Sequence, residues 1–287
     1  MAKLRIGVSG WTYAPWRGDF YPEGLSQKKE LEYASRRMSS IEINGTFYSL
    51  QRPTSFESWA KQVPADFCFA VKAPKYITHI SRLKEVEEPL CNFLASGIFK
   101  LGAKLGPILW QLPPNMMLKD DRFEKFFDLL PMNSEDVAKL ARDHTAKVEG
   151  RSCTEPEGDY PFRHAFEFRH PSFRNPDFLG EMRERGLGVV IADSSPKIPL
   201  IEDITADFIY VRMHGDAPEF SGGYTPAALK RWAKRLDAWL SGGQPADVDC
   251  VLAGAPKKKA RDVFVYFSTE VKERSPYDAL NLLKLTA

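Results

Sequence analysis

Residues 162–170 read Phe-Arg-His-Ala-Phe-Glu-Phe-Arg-His, and positions 166–169 alternate between aromatic and charged side chains. In an extended chain Phe166 and Phe168 point to one face, and Glu167 and Arg169 point to the other. A carboxylate and a guanidinium on one buried face need partners, because an unpaired buried charge is costly. The stretch therefore predicts a strand whose polar face carries either a structural ion pair or a functional site.

Other parts of the chain repeat this alternation and predict further strands. Ile41 and Ile43 share one face of a short run, with Glu42 and Asn44 on the other. The predicted strands are Leu4–Ser9, Ser40–Asn44, Phe67–Ala73, Gly106–Leu112, the 162–170 stretch, Gly188–Asp193, Asp207–His214 and Arg261–Ser268.

Helical patterns separate most of these strands. The predicted helices are Lys28–Ser39, Thr54–Gln62 with a capping box at its start, Glu85–Leu101, Asp120–Leu130, Ser134–Val148, Pro176–Arg185 capped by Asn175, Pro226–Leu240 after Thr225, and Pro276–Leu285. Eight strands that alternate with helices predict one (β/α)8 TIM-type barrel over residues 1–287. An open doubly wound sheet is disfavoured, because no glycine-rich phosphate-binding motif follows the first strand.

The connection between the sixth and seventh predicted strands is irregular. Only residues 194–206 separate them, and Pro196 and Pro199 lie in this segment. Because proline interrupts helices and the segment is short, we expect no full covering helix there.

Composition limits the protein class and its partners. The 287-residue chain has 40 Lys and Arg against 38 Asp and Glu, so a net charge of +2 disfavours nucleic acid or anionic lipid as partner. The four cysteines have no C-x-x-C spacing, and neither a signal-peptide pattern nor a long apolar run is present. These features predict a soluble cytoplasmic protein with free thiols and leave its oligomeric state open.

In a barrel of this type, functional groups lie at the carboxyl ends of the strands. The residues that alternation is expected to turn inward there are Ser9, Glu42, Asn44, Lys72, Gln111, Glu167, Arg169, Asp193, Arg212, His214 and Ser268. Three acids then face three permanent bases, which limits the cost of desolvation. Polar groups that converge from every strand at one end favour a functional site over a core ion pair.

The residue types predict an enzyme acting on a small anionic or sugar-like substrate. Lys72, Arg169 and Arg212 would hold a phosphate or carboxylate. Glu42, Glu167 or Asp193 would act as the base, and His214 as proton donor or acceptor. The predicted substrate-binding residues also include Trp11, Tyr13, Asn44, Tyr48 and Gln111. A hydrolase, an isomerase and a lyase all fit this set.

Several alternatives remain open from the residues alone. A divalent metal could bind Glu42, Glu167, Asp193 and His214, although three nearby cations compete for the carboxylates, so we predict no cofactor. Lys72 could form a Schiff base, but a lysine held by acids keeps a high pKa. The polar residues could also form a closed salt-bridge network, a non-catalytic ligand site, or a nucleic-acid surface with Trp11, Tyr13, Trp16 and Tyr48 stacking on bases.

The order of the short motifs resembles a known family. The motifs are Gly7-x-Ser9-Gly10-Trp11-x-Tyr13-x-x-Trp16, Glu42-x-Asn44-x-x-Phe47-Tyr48, Phe69-x-Val71-Lys72, Gln111-x-Pro113-Pro114, Arg163-His164-x-x-Glu167-x-Arg169-His170-Pro171-Ser172, Ala192-Asp193-Ser194 and Tyr210-x-Arg212-x-His214-Gly215. Together they resemble the YecE-like family, also called domain of unknown function 72, over essentially the whole chain. The resemblance implies a TIM-barrel-like fold with a polar cavity at the barrel mouth and implies no established reaction. Ser268 and Thr269 depart from the family, which usually has asparagines after the last strand.

Overall fold

The computed structural model describes residues 2–194, 198–215, 222–254, 256–269 and 271–286. Eight parallel strands close into a barrel in chain order and confirm the predicted (β/α)8 fold. The strands are β1 Leu4–Ser9, β2 Ser40–Ile43, β3 Cys68–Lys72, β4 Leu105–Gln111, β5 His164–Glu167, β6 Gly188–Asp193, β7 Phe208–Met213 and β8 Asp262–Phe267.

Helices cover the outside of the barrel. The α-helices of the described ranges are α1 Glu30–Ser35, α2 Gly45–Tyr48, α3 Pro53–Gln62, α4 Glu87–Ala95, α5 Arg122–Asp128, α6 Ser134–Arg142, α7 Pro176–Glu184, α8 Pro226–Leu240 and α9 Ser275–Thr286. Short 3₁₀ segments lie at Ala14–Trp16, Gln27–Lys29, Ile98–Lys104 and Pro171–Phe173, and a π-helical turn at Tyr76–Ile80. Within the described ranges, no helix has both the length and the apolar character to cross a membrane.

Several predicted helices have different boundaries, and Lys28–Ser39 and Ser134–Val148 shorten to Glu30–Ser35 and Ser134–Arg142. The predicted helix Glu85–Leu101 ends at Ala95, because Gly97 has a φ of +117° that no helix accommodates. The capping box predicted at Thr54 does not form. Pro53 already occupies the first turn of α3, and the cap residue Arg52 makes no side-chain capping bond.

The connection between β6 and β7 confirms the expected gap in the helical layer. Residues 198–207 contain no helix, whereas Pro196 lies outside the described residues. Ile201 and Ile204 bury their side chains in the core, and Asp203 accepts hydrogen bonds from the backbone of Val251 and Leu252.

The interior of the barrel is layered by polarity. Small and aromatic side chains fill its lower part, including Ala70, Leu109, Ala165, Tyr210 and Tyr266. On the outer face, Phe166 and Phe168 pack against the rings of α5 and α7 as the alternation predicts. The polar members of the same strands therefore lie inside the barrel at its carboxyl end, where the candidate site is found.

All four cysteines are free, as predicted.

Candidate functional site

A cavity of about 680 Å³ opens at the carboxyl end of the barrel. Its walls come from the strand ends and from the loops that follow them. Of the predicted site residues, it is lined by Asn44, Tyr48, Lys72, Gln111, Arg169, Arg212 and His214, together with Ser9 and Ser268. The structure therefore brings most of the predicted site together at the expected end of the barrel.

Arg212 forms the centre of the site. Its side chain is 2% exposed, and its two terminal nitrogens reach carboxylates on opposite sides of the barrel. Nη1 donates to Glu167 Oε2 at 2.5 Å, and Nη2 donates to Glu42 Oε1 at 3.0 Å. Nη2 also donates to Ser268 Oγ at 2.9 Å.

Glu167 is fully buried and is occupied on both oxygens. Oε1 accepts from Arg169 Nε at 2.7 Å, and Oε2 lies 3.3 Å from His214 Nε2 in addition to its bond with Arg212. Burial raises the pKa of this carboxyl, but Arg212, His214 and Arg169 outweigh that effect and hold the pKa well below its ordinary value. Glu167 is therefore an ionised anchor for three cationic or polar side chains.

Glu42 has an equally closed environment. Oε2 accepts a hydrogen bond from Tyr210 at 2.7 Å, and Oε1 accepts from Ser9 as well as from Arg212. Asn44 completes this corner, since its Nδ2 donates to Ser9 Oγ at 2.6 Å while its buried Oδ1 has no partner. Glu42 and Glu167 are thus both held below the cavity surface.

Lys72 is in a different situation from the two arginines. It makes no ion pair with any described residue, and its ammonium lies 4.2 Å from the centre of the Phe47 ring. Burial and the charge of Arg212 lower the pKa of Lys72 to about 8, although Glu42 and Glu167 act in the opposite direction. The expectation that acids hold this lysine and keep its pKa high is therefore wrong, because the arginines occupy those carboxylates.

A second layer supports Lys72 from outside the cavity. The Thr46 hydroxyl donates to the Lys72 carbonyl at 2.6 Å and ties α2 to the end of β3. The His79 ring meets Phe47 edge to face at 5.1 Å, and its Nδ1 pairs with the Thr78 hydroxyl. Burial and the nearby cation of Lys72 lower the pKa of His79 to about 4, so this imidazole is neutral at pH 7.

Asp193 does not line the mouth, and its predicted inward position is wrong. Its Oδ2 accepts hydrogen bonds from Tyr224 at 2.9 Å and from Trp232 Nε1 at 2.8 Å, between the barrel and α8. The cause is register: β6 turns Val190 inward, so the odd-numbered Asp193 faces the helical layer. Burial raises the pKa of Asp193 above its ordinary value.

The aromatic loop after β1 also differs from the prediction. Trp11 packs edge to face on Trp59 of α3, and Tyr13 donates to Glu273, so neither ring lines the cavity. Trp16 lines the cavity instead. Its Nε1 donates a hydrogen bond to the carbonyl of Lys272, which also lines the cavity. The predicted substrate-binding rings of Trp11 and Tyr13 therefore pack outside the cavity.

Some site residues escaped the sequence reasoning. Tyr210 lies two residues before Arg212 on the same face of β7, so alternation alone could have identified it as a partner for Glu42. Lys272 and Phe47 also belong to the site. Both lie outside the strands, where no periodicity indicates the direction of a side chain.

The arrangement leaves an excess of positive charge at the cavity. Among the strand residues, Lys72, Arg169 and Arg212 face Glu42 and Glu167, so one net positive charge remains when Lys72 is protonated, and Lys272 also lines the cavity. A metal ion does not fit this donor set, because arginines occupy both carboxylates. Among the described residues, no three His, Cys, Asp or Glu side chains converge to hold an ion.

Comparison with known proteins agrees with the fold and the motifs. The chain is 27% identical to the UPF0759 protein YunF of Bacillus subtilis over 282 residues, which cover 92% of this chain and 88% of that protein. It is 25% identical to the UPF0759 protein YecE of Escherichia coli over 199 residues, 67% of this chain and 60% of that protein.

Solved structures share the whole barrel. A DUF72 family protein from Thermotoga maritima superposes with a TM-score of 0.71 at 22% identity, covering 99% of this chain and 98% of that one. A DUF72 family protein from Enterococcus faecalis gives a TM-score of 0.65 at 17% identity, with coverages of 99% and 98%. The family model described as protein of unknown function DUF72 matches residues 5–287, and the chain therefore belongs to the DUF72 family.

Proposed function

We propose that the protein is an enzyme that binds a small anionic or sugar-like substrate in the barrel mouth and transfers a proton there. The observation that carries this proposal is the commitment of both barrel carboxylates to buried partners. With Glu42 and Glu167 paired below the surface, the polar groups facing the cavity are cations, an imidazole, amides and hydroxyls. Such a surface favours a negatively charged or hydroxyl-rich ligand.

Arg169 is the strongest candidate for an anion-binding group. Only its Nε bonds to Glu167, and its terminal nitrogens have no hydrogen-bond partner among the described residues. Its side chain is 25% exposed at the cavity, so the terminal nitrogens can approach a phosphate or carboxylate as a fork. The pairing with Glu167 fixes the direction of this fork.

One unpaired amide and two hydroxyls that already bond within the protein would hold the rest of the substrate. Gln111 lines the cavity, and its side-chain amide bonds to no described residue. Ser268 and Thr269 contribute hydroxyls on the opposite wall. Groups of this kind pair with sugar hydroxyls as donors and acceptors.

His214 is the candidate for proton transfer. Its Nε2 lies beside Glu167 Oε2, and this pairing favours the tautomer that carries its proton on Nε2. Nδ1 is then an acceptor, and no described residue bonds to it. These contacts support Glu167 as a positioning residue and His214 as the base. The sequence instead predicts Glu42, Glu167 or Asp193 as the base.

Anion binding is tested with a thermal-shift panel of phosphate, sugar phosphates and carboxylates, with and without divalent ions. A ligand present at 100 times its Kd should stabilise the fold by about 2.7 kcal/mol. Arg169→Gln should lose the shift, whereas Arg36→Gln, which removes an exposed arginine away from the cavity, should keep it. Equal shifts in both variants would contradict the assignment, and stabilisation by divalent ions alone would replace it with a metal site.

Proton transfer is tested by deuterium incorporation into the stabilising compounds in heavy water, followed by NMR. His214→Gln should abolish exchange, whereas His144→Gln should not, because His144 lies outside the cavity lining. Tight anion binding with no exchange of any substrate proton would instead make the protein a non-catalytic binding barrel.

A further inference from the structure

We propose that Lys72 forms a covalent iminium bond with an aldehyde or ketone carbonyl of the anionic substrate. This inference rests on the proposed function, because it uses the same cavity and the same anion-binding arginine. It adds a nucleophile and a substrate class, namely small carbonyl compounds that carry a phosphate or carboxylate.

The first support is the position of the lysine. Lys72 is the last residue of β3, and its side chain lines the cavity at the mouth. In the described part of the chain no carboxylate pairs with it, although two carboxylates lie in the same barrel layer. An amine without an anionic partner can lose its proton and present a free electron pair to a ligand.

The second support is the apolar wall behind the amine. The Phe47 ring covers one side of Nζ at 4.2 Å, and the edge of His79 backs that ring at 5.1 Å. The Thr46 bond to the Lys72 carbonyl holds α2, and with it Phe47, against the end of β3. The wall removes water from one side of the amine and leaves the cavity side as its approach path.

The third support is the fixed positive charge nearby. The terminal nitrogens of Arg212 bond to two carboxylates, and Arg169 bonds to Glu167, so both guanidinium groups are held in place. Together with burial, the charge of Arg212 lowers the pKa of Lys72 to about 8. At pH 7 this makes the neutral fraction roughly 200-fold larger than that of an ordinary lysine.

The substrate class follows from what surrounds the amine. A lysine amine forms reversible covalent bonds with carbonyl carbon, and the terminal nitrogens of Arg169 would bind an anionic group on the same molecule. Neutral amides such as Gln111 could hold hydroxyl groups between the two ends. A small hydroxy ketone or aldehyde with a phosphate or carboxylate fits this arrangement.

The step balances without another reactant. Neutral Nζ attacks the carbonyl carbon, the C=O π pair moves to oxygen, and the oxygen takes up the proton that the ammonium released. The nitrogen of this adduct, now cationic, passes one proton to the hydroxyl group, and the nitrogen pair that this frees expels the group as water, which leaves a C=N⁺ bond. The iminium acidifies the C–H bond on the neighbouring carbon, and His214 in the same cavity is the group that would accept this proton.

The experiment is borohydride trapping with two probes, dihydroxyacetone phosphate and pyruvate. Reduction of an iminium adds the mass of the probe less one oxygen atom, and peptide mapping locates the adduct. We expect modification at Lys72 in at least tenfold excess over Lys75, an exposed lysine three residues away. Lys72→Arg should lose the adduct while it keeps a positive charge, and Lys75→Arg should behave as the wild type.

The outcomes separate this inference from the proposed function. Anion-induced thermal shifts with no Lys72 adduct at pH 7 to 9 would overturn the inference and leave the anion site standing. Equal labelling of Lys72 and Lys75 would also overturn it. If the wild-type protein shows neither a Lys72 adduct nor an anion-induced thermal shift, the inference and the proposed function both fail. A Lys72 adduct whose yield falls at least tenfold in Arg169→Gln would support both.

Discussion

Replacing Glu167 by glutamine tests whether this carboxylate holds the site together. The wild-type side chain is fully buried and pairs with Arg212, which is 2% exposed, and with Arg169. Glutamine offers one acceptor oxygen, so its NH₂ group must face one of the two guanidinium groups, donor against donor. Breaking a buried ion pair typically costs about 3–5 kcal/mol, and we expect a loss of this size in the free energy of unfolding.

The assay is denaturant unfolding at pH 7, with Asp193→Asn as a matched control. Asp193 is also a largely buried carboxylate, but its partners are the neutral donors of Tyr224 and Trp232. An asparagine oxygen can accept both bonds, and burial raises the pKa of Asp193, so removing its charge should cost less than about 1.5 kcal/mol. Unfolding slopes that match the wild type are needed for this comparison.

The pH dependence provides a second measurement on Glu167. The pKa of its carboxyl is lowered in the folded state, so its contribution is complete above the ordinary value of 4.5. Below that value it is lost progressively until the pH reaches the folded pKa, which lies well below 4.5. The stability of Glu167→Gln should therefore approach that of the wild type at strongly acidic pH. A loss at pH 7 no larger than that of Asp193→Asn would refute the anchoring role and restore Glu167 as a candidate base.

Three further predictions concern the barrel and the surroundings of Lys72. Gly7→Ala should destabilise the protein by about 3 kcal/mol or more in denaturant unfolding, because its Cβ would lie 1.7 Å from the Ser40 carbonyl oxygen. Gly180→Ala, with open space around its Cβ in α7, should instead gain about 0.5–1 kcal/mol, and similar effects at both positions would contradict the close strand contact. Burial raises the pKa of Asp278 to about 6, so the wild type should gain stability relative to Asp278→Asn as the pH falls from 7 to 4. A difference in unfolding free energy that stays constant over this pH range would disprove the raised pKa. Phe47→Leu should move the pH midpoint of Lys72 trapping upward, since burial is the main cause of the lowered pKa, and an unchanged midpoint would show that the ring does not shield the amine.

The sequence predicted the barrel and most of the mouth, because a strand in which polar and apolar residues alternate reveals which side chains face inward. Glu167 and Arg169 follow Phe166 and Phe168, and the structure places the two pairs on opposite faces. In β6 the run Gly188–Asp193 is apolar up to its last residue, so no alternation fixed the direction of Asp193.

The chemistry of Lys72 could not be predicted, because it depends on which cation each carboxylate pairs with. Charge counting gives the same balance whether Glu42 and Glu167 pair with Lys72 or with arginines. The barrel geometry assigns both to Arg212 and leaves the lysine against Phe47. Distances in the folded barrel therefore decide which cationic side chain lacks a carboxylate partner. Residue spacing along the chain does not give these distances.

The bonds of Arg212 have a consequence for how the barrel opens. The guanidinium on β7 bonds to Glu42 on β2 and Glu167 on β5, strands that are not neighbours of β7 in the sheet. If β1–β4 separated from β5–β8, Glu42 would lose its arginine and Arg212 would lose one of its two carboxylates. Partial opening therefore exposes unbalanced charge, and amide protons of β2, β5 and β7 should exchange with solvent in one cooperative unit.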